Sequence, residues 1–266
     1  MKSNNDSLRN WAVVLGASSG FGAACSLALA RAGFSILGIH LDRKGTMAKV
    51  EETIDKIRQE KVQAKFHNVN AADAENRSQI LAHFREEQPS AKIQVLVHSL
   101  AFGTLKPFLS EKPGDSVSKA QMEMTLDVMA NSLVYWVQEL VGRHLMDKGG
   151  RIFAMTSAGS DRVWRTYGAV SAAKAALESH IRQISLELAP LGITANALRA
   201  GVTDTPALRK IPGYEEMIVT ARKKNPSGRL TTPEDVANAL VVLCHPDTSW
   251  ITGNVINIDG GEFITD

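Results

Sequence analysis

The chain is expected to fold as an α/β protein, a doubly wound Rossmann-type parallel sheet of about seven strands with helices on both faces. Three observations carry this. Short apolar strands alternate with helix-length segments from residue 11 onward. The fourth strand, IQVLVHS (93–99), is apolar nearly throughout, as strands buried on both faces are. The first strand runs straight into a glycine turn, GASSGFG (16–22), which opens an apolar helix.

In order, residues 1–10 read as a loose polar tail, and one domain spans 11–266. WAVVLG (11–16) is the first strand, followed by the helix AACSLALARAGF closed by Gly33. SILGIHL (35–41) is the second strand, TMAKVEETIDKIRQE a charged amphipathic helix, and QAKFHNV (63–69) the third strand. AENRSQILAHFREE is the third helix. After strand four comes a loop with Pro107, Pro113 and Gly114, then one long helix over about 119–147 ended by Gly149 and Gly150. RIFAMTS (151–157) is strand five, 166–189 a helix stopped by Pro190 and Gly192, and ITANALR (193–199) strand six. Residues 201–231 carry Pro206, Pro212, Gly213, Pro226 and Gly228 around a short helical stretch, the composition of a substrate lid. PEDVANALVVLCH is the last helix, with Thr232 as N-cap and Pro233 at its first position, and NVINIDGG (254–261) holds strand seven.

Composition narrows the function classes. A formal charge of +2 gives no electrostatic footprint for nucleic acid. No run of about 18 apolar residues predicts a membrane span, and the polar N-terminus lacks a signal-peptide core, so a cytoplasmic location is expected. Cys25 and Cys244 lie far apart in apolar surroundings and read as small core residues. No second ligand stands at a suitable spacing from a histidine, so no metal is expected.

The turn Gly16-Ala17-Ser18-Ser19-Gly20-Phe21-Gly22 has the spacing GxxxGxG. Glycines let the backbone approach a pyrophosphate that the following helix N-terminus attracts, so dinucleotide binding is expected. Downstream, Ser157, Tyr167 and Lys174 fall within one strand end and one helix start. A lysine on the face of a tyrosine favours the phenolate and suits the pair to proton transfer. Together these motifs resemble the short-chain dehydrogenase/reductase family, from about residue 10 to the closing DGG at 259–261. The resemblance implies a nicotinamide cofactor, hydride transfer, and a homodimer or homotetramer.

Cofactor choice is read at the end of strand two, where an acid suits NAD and a cation suits NADP. The usual acid position falls at His40, followed by Asp42, Arg43 and Lys44. Arg43 and Lys44 favour NADPH over NADH. Asp42 argues the other way unless it turns outward. By resemblance, Asn68 and Val69 lie against adenine, and Ser99, Leu100 and Ala101 pass the ribose and nicotinamide. Gly201, Val202, Thr203 and Thr205 then meet the carboxamide and phosphate.

Most members of the family have Tyr-x3-Lys, but four places before Lys174 stands Val170. Tyr167 makes Tyr-x6-Lys, two helical turns apart and still on one face. In ketone reduction, hydride and proton go to adjacent atoms of one carbonyl. In enoyl thioester reduction, hydride goes to C3 while charge develops on the thioester oxygen. An acid moved by one turn suits the second case. Tyr-x6-Lys, the segment VHSLAFG (97–103) and the stretch from AGVTDTPAL (200–208) to Arg229 resemble the NADPH-dependent bacterial enoyl-acyl carrier protein reductases. These enzymes often have a second tyrosine between Ser157 and Tyr167, where this chain has only Trp164 as a large aromatic. The resemblance implies Tyr167, Lys174 and Ser157 as catalytic. It implies Phe102, Gly103, Trp164 and Leu208 as lining for an acyl thioester, carried on acyl carrier protein or free. A carbonyl or 3-ketoacyl-type reductase and a non-catalytic NADP-binding sensor or scaffold remain the alternatives.

Overall fold

The structure is a computed structural model that describes residues 10–112 and 114–265. The tail expected over 1–10 lies outside the described residues except for Asn10, as does Pro113. Seven parallel strands form one sheet in the order β3-β2-β1-β4-β5-β6-β7. They are β1 Asn10–Leu15, β2 Ser35–His40, β3 Ala64–Asn68, β4 Lys92–His98, β5 Arg151–Ser157, β6 Thr194–Ala200 and β7 Val255–Ile258. From β1 the chain winds outward through β2 to β3. It then returns to β4 on the other side of β1 and winds the opposite way. That reversal opens a crevice beyond the carboxyl ends of β1 and β4, where ligands bind in such sheets. Ser99 N–H donates to the Leu15 carbonyl at 2.9 Å and pins the two strand ends at the crevice.

Side chains alternate across the sheet with period two. Trp11, Val13 and Leu15 of β1 enter one core, with Phe84, Trp136 and Leu177. Ala12 and Val14 enter the other, with Leu29, Ile57 and Leu240. The helices on the first face are α3 Ala74–Glu87, α5 Ser132–Gly142 and α6 Gly168–Leu188; those on the second are α1 Gly20–Arg31, α2 Met47–Gln59 and α8 Pro233–Leu243. Trp11 and Phe84 meet edge to face, with centroids 5.1 Å apart. Cys25 and Cys244 are free thiols, the former buried, and burial pushes both up to about 12.

Local signals end the elements. The N-cap Thr232 accepts from Asp235 N–H while the Asp235 side chain accepts from Thr232 N–H, a reciprocal box with Pro233 inside it. Ser118 and Gln121 do the same at α4, Lys119–Leu126. The expected single helix over 119–147 is instead α4, a π-helical turn at Asp127–Asn131, and α5, which stops at Gly142. The extra residue in that wide turn rotates α5 relative to α4, a feature common near functional sites and invisible to hydrophobic periodicity. The segment 201–231 holds α7, Tyr214–Lys224, between irregular stretches.

Candidate active site

The glycine turn sits at the mouth of the crevice. Gly16 has φ +86, and a Cβ there would lie 2.3 Å from the Ser99 carbonyl oxygen. A Cβ on Gly22 would lie 2.0 Å from the Gly16 oxygen, so only glycine lets α1 start this close to β1. Ser19 is the N-cap of α1 but makes no side-chain cap bond, and no acid occupies the first turn. The first amides of α1 are therefore left for an anion. A Cβ on Gly20 would lie 3.5 Å from the Thr205 methyl, so the buried Thr205 stands beside the turn, and Thr203, also buried, precedes it by two residues. Phe21 packs against the core on the α1 side.

At the end of β2, His40 is buried and its Nδ1 lies 3.0 Å from Asp42 Oδ2. Asp42 also accepts from the Thr46 hydroxyl at 2.7 Å and from Ser18 of the glycine turn. Burial opposes its ionisation, but the bonds from Ser18, Thr46 and His40 prevail and hold its pKa below the ordinary aspartate value. Asn68 clamps the Asp42 backbone from both sides, accepting from its N–H at 2.8 Å and donating to its carbonyl at 3.0 Å. Val69 N–H donates to the His40 carbonyl, and the side chain packs on the core. Arg43 and Lys44 are exposed.

Ser157 ends β5 and Tyr167 is the N-cap residue of α6, which begins at Gly168 rather than at the expected 166. Thr166 precedes it with φ +64, a left-handed conformation that a β-branched residue seldom adopts. A Cβ on Gly159 would lie 2.5 Å from Tyr167 Cε1, so the phenol ring lies flat on a residue with no side chain. The phenol meets Ser157. Burial raises its pKa, and only the Ser157 bond lowers it. This corrects the expectation that Lys174 would favour the phenolate. Lys174 is itself buried and donates to the Met155 carbonyl at 2.6 Å. Desolvation brings the ammonium down to about 8, opposed by the charge of Glu178 one turn along. Tyr167 is thus a protonated donor at neutral pH.

His98 ends β4 fully buried, its Nε2 2.8 Å from Ser132 Oγ. Ser132 gives its own hydrogen to the Val128 carbonyl, so Nε2 of His98 is the donor in that pair. Burial pulls the imidazole down to about 3, which keeps it neutral. The Asn131 amide oxygen lies 3.1 Å from His180 Nε2.

Around the start of α6 stand Phe102, half exposed, and Phe108, whose ring covers Gly168 beside Tyr167. Gly103 is enclosed by Val170, Met129 and Thr125, each within 2.9 Å of where a Cβ would sit. Val170 is buried core, so no acid stands at the common tyrosine position. Trp164 is about one-third exposed and donates its indole N–H to the Pro212 carbonyl at 3.1 Å. Leu208 is buried; Leu100 packs on the core and Ala101 is exposed. The Thr203 hydroxyl donates to the Gly201 carbonyl at 2.9 Å, while Val202 N–H donates to the Glu262 carboxylate at 3.1 Å.

Sequence reasoning missed Phe108, Thr166, Glu178, Arg199 and Glu262. Glu178 alone carried a signal, four residues after Lys174 on the same helix face. Among the described residues no cluster of histidine, cysteine and carboxylate is placed to hold a metal ion, and no helix is long and apolar enough to cross a membrane.

A family profile described as "Enoyl-(Acyl carrier protein) reductase" matches residues 16–262. An enoyl-[acyl-carrier-protein] reductase [NADH] of Aquifex aeolicus is 32% identical over 67% of this chain, and the match spans 65% of that reductase's length. A 1-cyclohexenylcarbonyl-CoA reductase of Streptomyces collinus is 28% identical over 95% of this chain and 86% of its own. The solved structure of an enoyl-[acyl-carrier-protein] reductase (NADH) from Aquifex aeolicus shares the fold, with a TM-score of 0.83 at 24% identity over 97% of this chain and 98% of the other. The NADPH expectation is corrected here. The Aquifex relative is named for NADH, and Asp42 turns inward onto His40 and Ser18 rather than outward, leaving Arg43 and Lys44 on the surface. The chain belongs to the enoyl-(acyl carrier protein) reductase family of short-chain dehydrogenases and reductases.

Proposed function

We propose that this protein uses NADH to reduce the C2–C3 double bond of an enoyl thioester. The observation that carries the reading is the placement of the acid. Tyr167 stands at the mouth of α6 as a protonated donor beside Ser157, while the common position one turn deeper is the buried, apolar Val170. When bound, the dinucleotide supplies hydride to C3.

The chain's own residues supply the rest. The free amides of α1 and the close backbone of Gly16, Gly20 and Gly22 hold the pyrophosphate. Asp42, ionised and fixed by three donors, accepts from the adenine ribose hydroxyls and repels a 2′-phosphate. Lys174 donates to the second ribose and keeps the local potential positive. Tyr167 donates to the thioester oxygen as negative charge develops there, and Ser157 orients the phenol. Water supplies the proton at C2 as the enolate collapses back to the thioester carbonyl, so one hydride and one proton are added across the double bond. Phe102, Phe108 and Trp164 form an apolar mouth for the acyl chain, and residues 201–231 act as a lid tied down through Trp164 and Pro212. The thioester is carried on acyl carrier protein or coenzyme A, the latter in keeping with the name of the Streptomyces relative. The working form is a homodimer or homotetramer.

Consumption of NADH with crotonyl thioester, measured beside acetoacetyl thioester and simple ketones, tests the reaction class. Turnover of the crotonyl substrate alone supports double-bond reduction. Preferential turnover of acetoacetyl thioester makes the enzyme a carbonyl reductase and sinks the proposal.

A further inference from the structure

Lys174 lies in the core, and among the described residues no carboxylate is bonded to it; its nitrogen donates to the Met155 carbonyl. A buried cation needs an opposing charge nearby to stay charged. The titratable and charged groups on the neighbouring strands and on α6 itself are these. On β4 stands His98, which is neutral. At the start of α6 is Tyr167, protonated, and farther along α6 is His180, bonded to Asn131. On β6 is Arg199, and in the loop after β5 is Asp161. One turn along α6 is Glu178, buried like Lys174.

Glu178 Oε1 accepts from the Thr156 hydroxyl at 2.7 Å and from Arg199 at 3.3 Å. Arg199 has a nearer partner in Asp161, at 2.6 Å, and its guanidinium lies 4.5 Å over the Phe263 ring of the C-terminal turn. Glu178, Arg199 and Asp161 therefore form a chain of charges that begins in the core, four residues after the buried Lys174 on α6, and ends at the surface on Asp161. Because Asp161 already answers Arg199, the charge of Glu178 remains available to Lys174.

We propose that Glu178 is a positioning residue that keeps the Lys174 ammonium charged and aimed at the dinucleotide, and that Arg199 sets how strongly it does so. This rests on the reading of Lys174 as a dinucleotide-binding group. Thr156 fixes the carboxylate rotamer from β5, the strand that also supplies the Met155 carbonyl. Arg199 draws part of the negative charge away from the lysine. Asp161 and the Phe263 ring in turn anchor Arg199, so the C-terminal turn bears on the site through this relay.

The two ends of the relay have opposite signs, and the test uses that. NADH binding is followed by nicotinamide fluorescence from neutral to alkaline pH in the full chain, with thermal melts confirming folding. Wild type is expected to lose affinity as pH rises through about 8. Glu178→Gln keeps the acceptor for Thr156 and removes the charge, and its alkaline limb is expected about one pH unit lower. Arg199→Met frees Glu178 for the lysine, and its limb is expected higher than wild type. A limb in Glu178→Gln that superimposes on wild type overturns the proposal, even if Arg199→Met fails to fold. So does a shift of both variants in one direction. Lys174→Met separates the two levels. If the limb persists without the lysine, the reading of Lys174 falls as well, whereas a lysine-dependent limb unmoved by Glu178→Gln overturns only the role of Glu178.

Discussion

Asp42 accepts hydrogen bonds from Ser18, Thr46 and His40, and its side chain faces the glycine turn. A second negative charge placed there, such as a 2′-phosphate, meets a like charge held in place by a rigid strand end. Asp42→Ser removes that charge and keeps a short polar side chain. Its preference for NADH over NADPH, measured as the ratio of kcat/KM values, is expected to fall by about ten- to a hundred-fold. The sequence showed Asp42, Arg43 and Lys44 side by side but not which of them faces inward. That depends on His40 and on Ser18, which is 24 positions earlier in the chain. The protonation of Tyr167 was equally hidden. Spacing put Tyr167 and Lys174 on one face, but whether charge or burial sets the phenol depends on how deeply the ring sits against Gly159. Thr166 is a third case, since nothing about a threonine marks it for φ +64.

At the scale of elements, hydrophobic period and punctuation were enough for most boundaries. The buried strands, the Gly33 stop after α1 and the Thr232–Pro233 start of α8 all follow from local chemistry. The π-helical turn between α4 and α5 did not, because widening one turn leaves the apolar spacing on each side intact. Helix α6 carries its own cost. It buries the Lys174 ammonium, whose folded value of about 8 lies below the ordinary 10.5 of the unfolded chain. Between those values the unfolded chain binds a proton that the folded protein does not, so this group makes stability rise with pH across that window. The corresponding gain is on the order of 3 kcal/mol. Denaturant titrations should show wild type gaining stability relative to Lys174→Met from about pH 8 upward, a difference absent if the lysine is solvated.

For the whole molecule, the winding of the sheet gathers one site from pieces of chain spread over more than two hundred residues. The turn after β1 and the end of β2 supply the proposed dinucleotide cradle, and β5 with α6 supplies Ser157, Tyr167 and Lys174. The segment after β6 and the C-terminal turn close around them through Trp164–Pro212, Val202–Glu262 and Arg162–Phe263. The α/β class and the crevice at the β1–β4 reversal were legible because the glycine turn and the strand–helix alternation are local patterns. The charge relay through Glu178, Arg199 and Phe263 was not, because its members come from different elements. The central claim is that Tyr167 is the donor for reduction of an enoyl thioester, and Tyr167→Phe assayed with NADH and crotonyl thioester addresses it most directly. The expected result is a loss of about a hundred-fold or more in kcat, with NADH affinity and thermal stability retained. A variant that reduces the crotonyl double bond at the wild-type rate would contradict it.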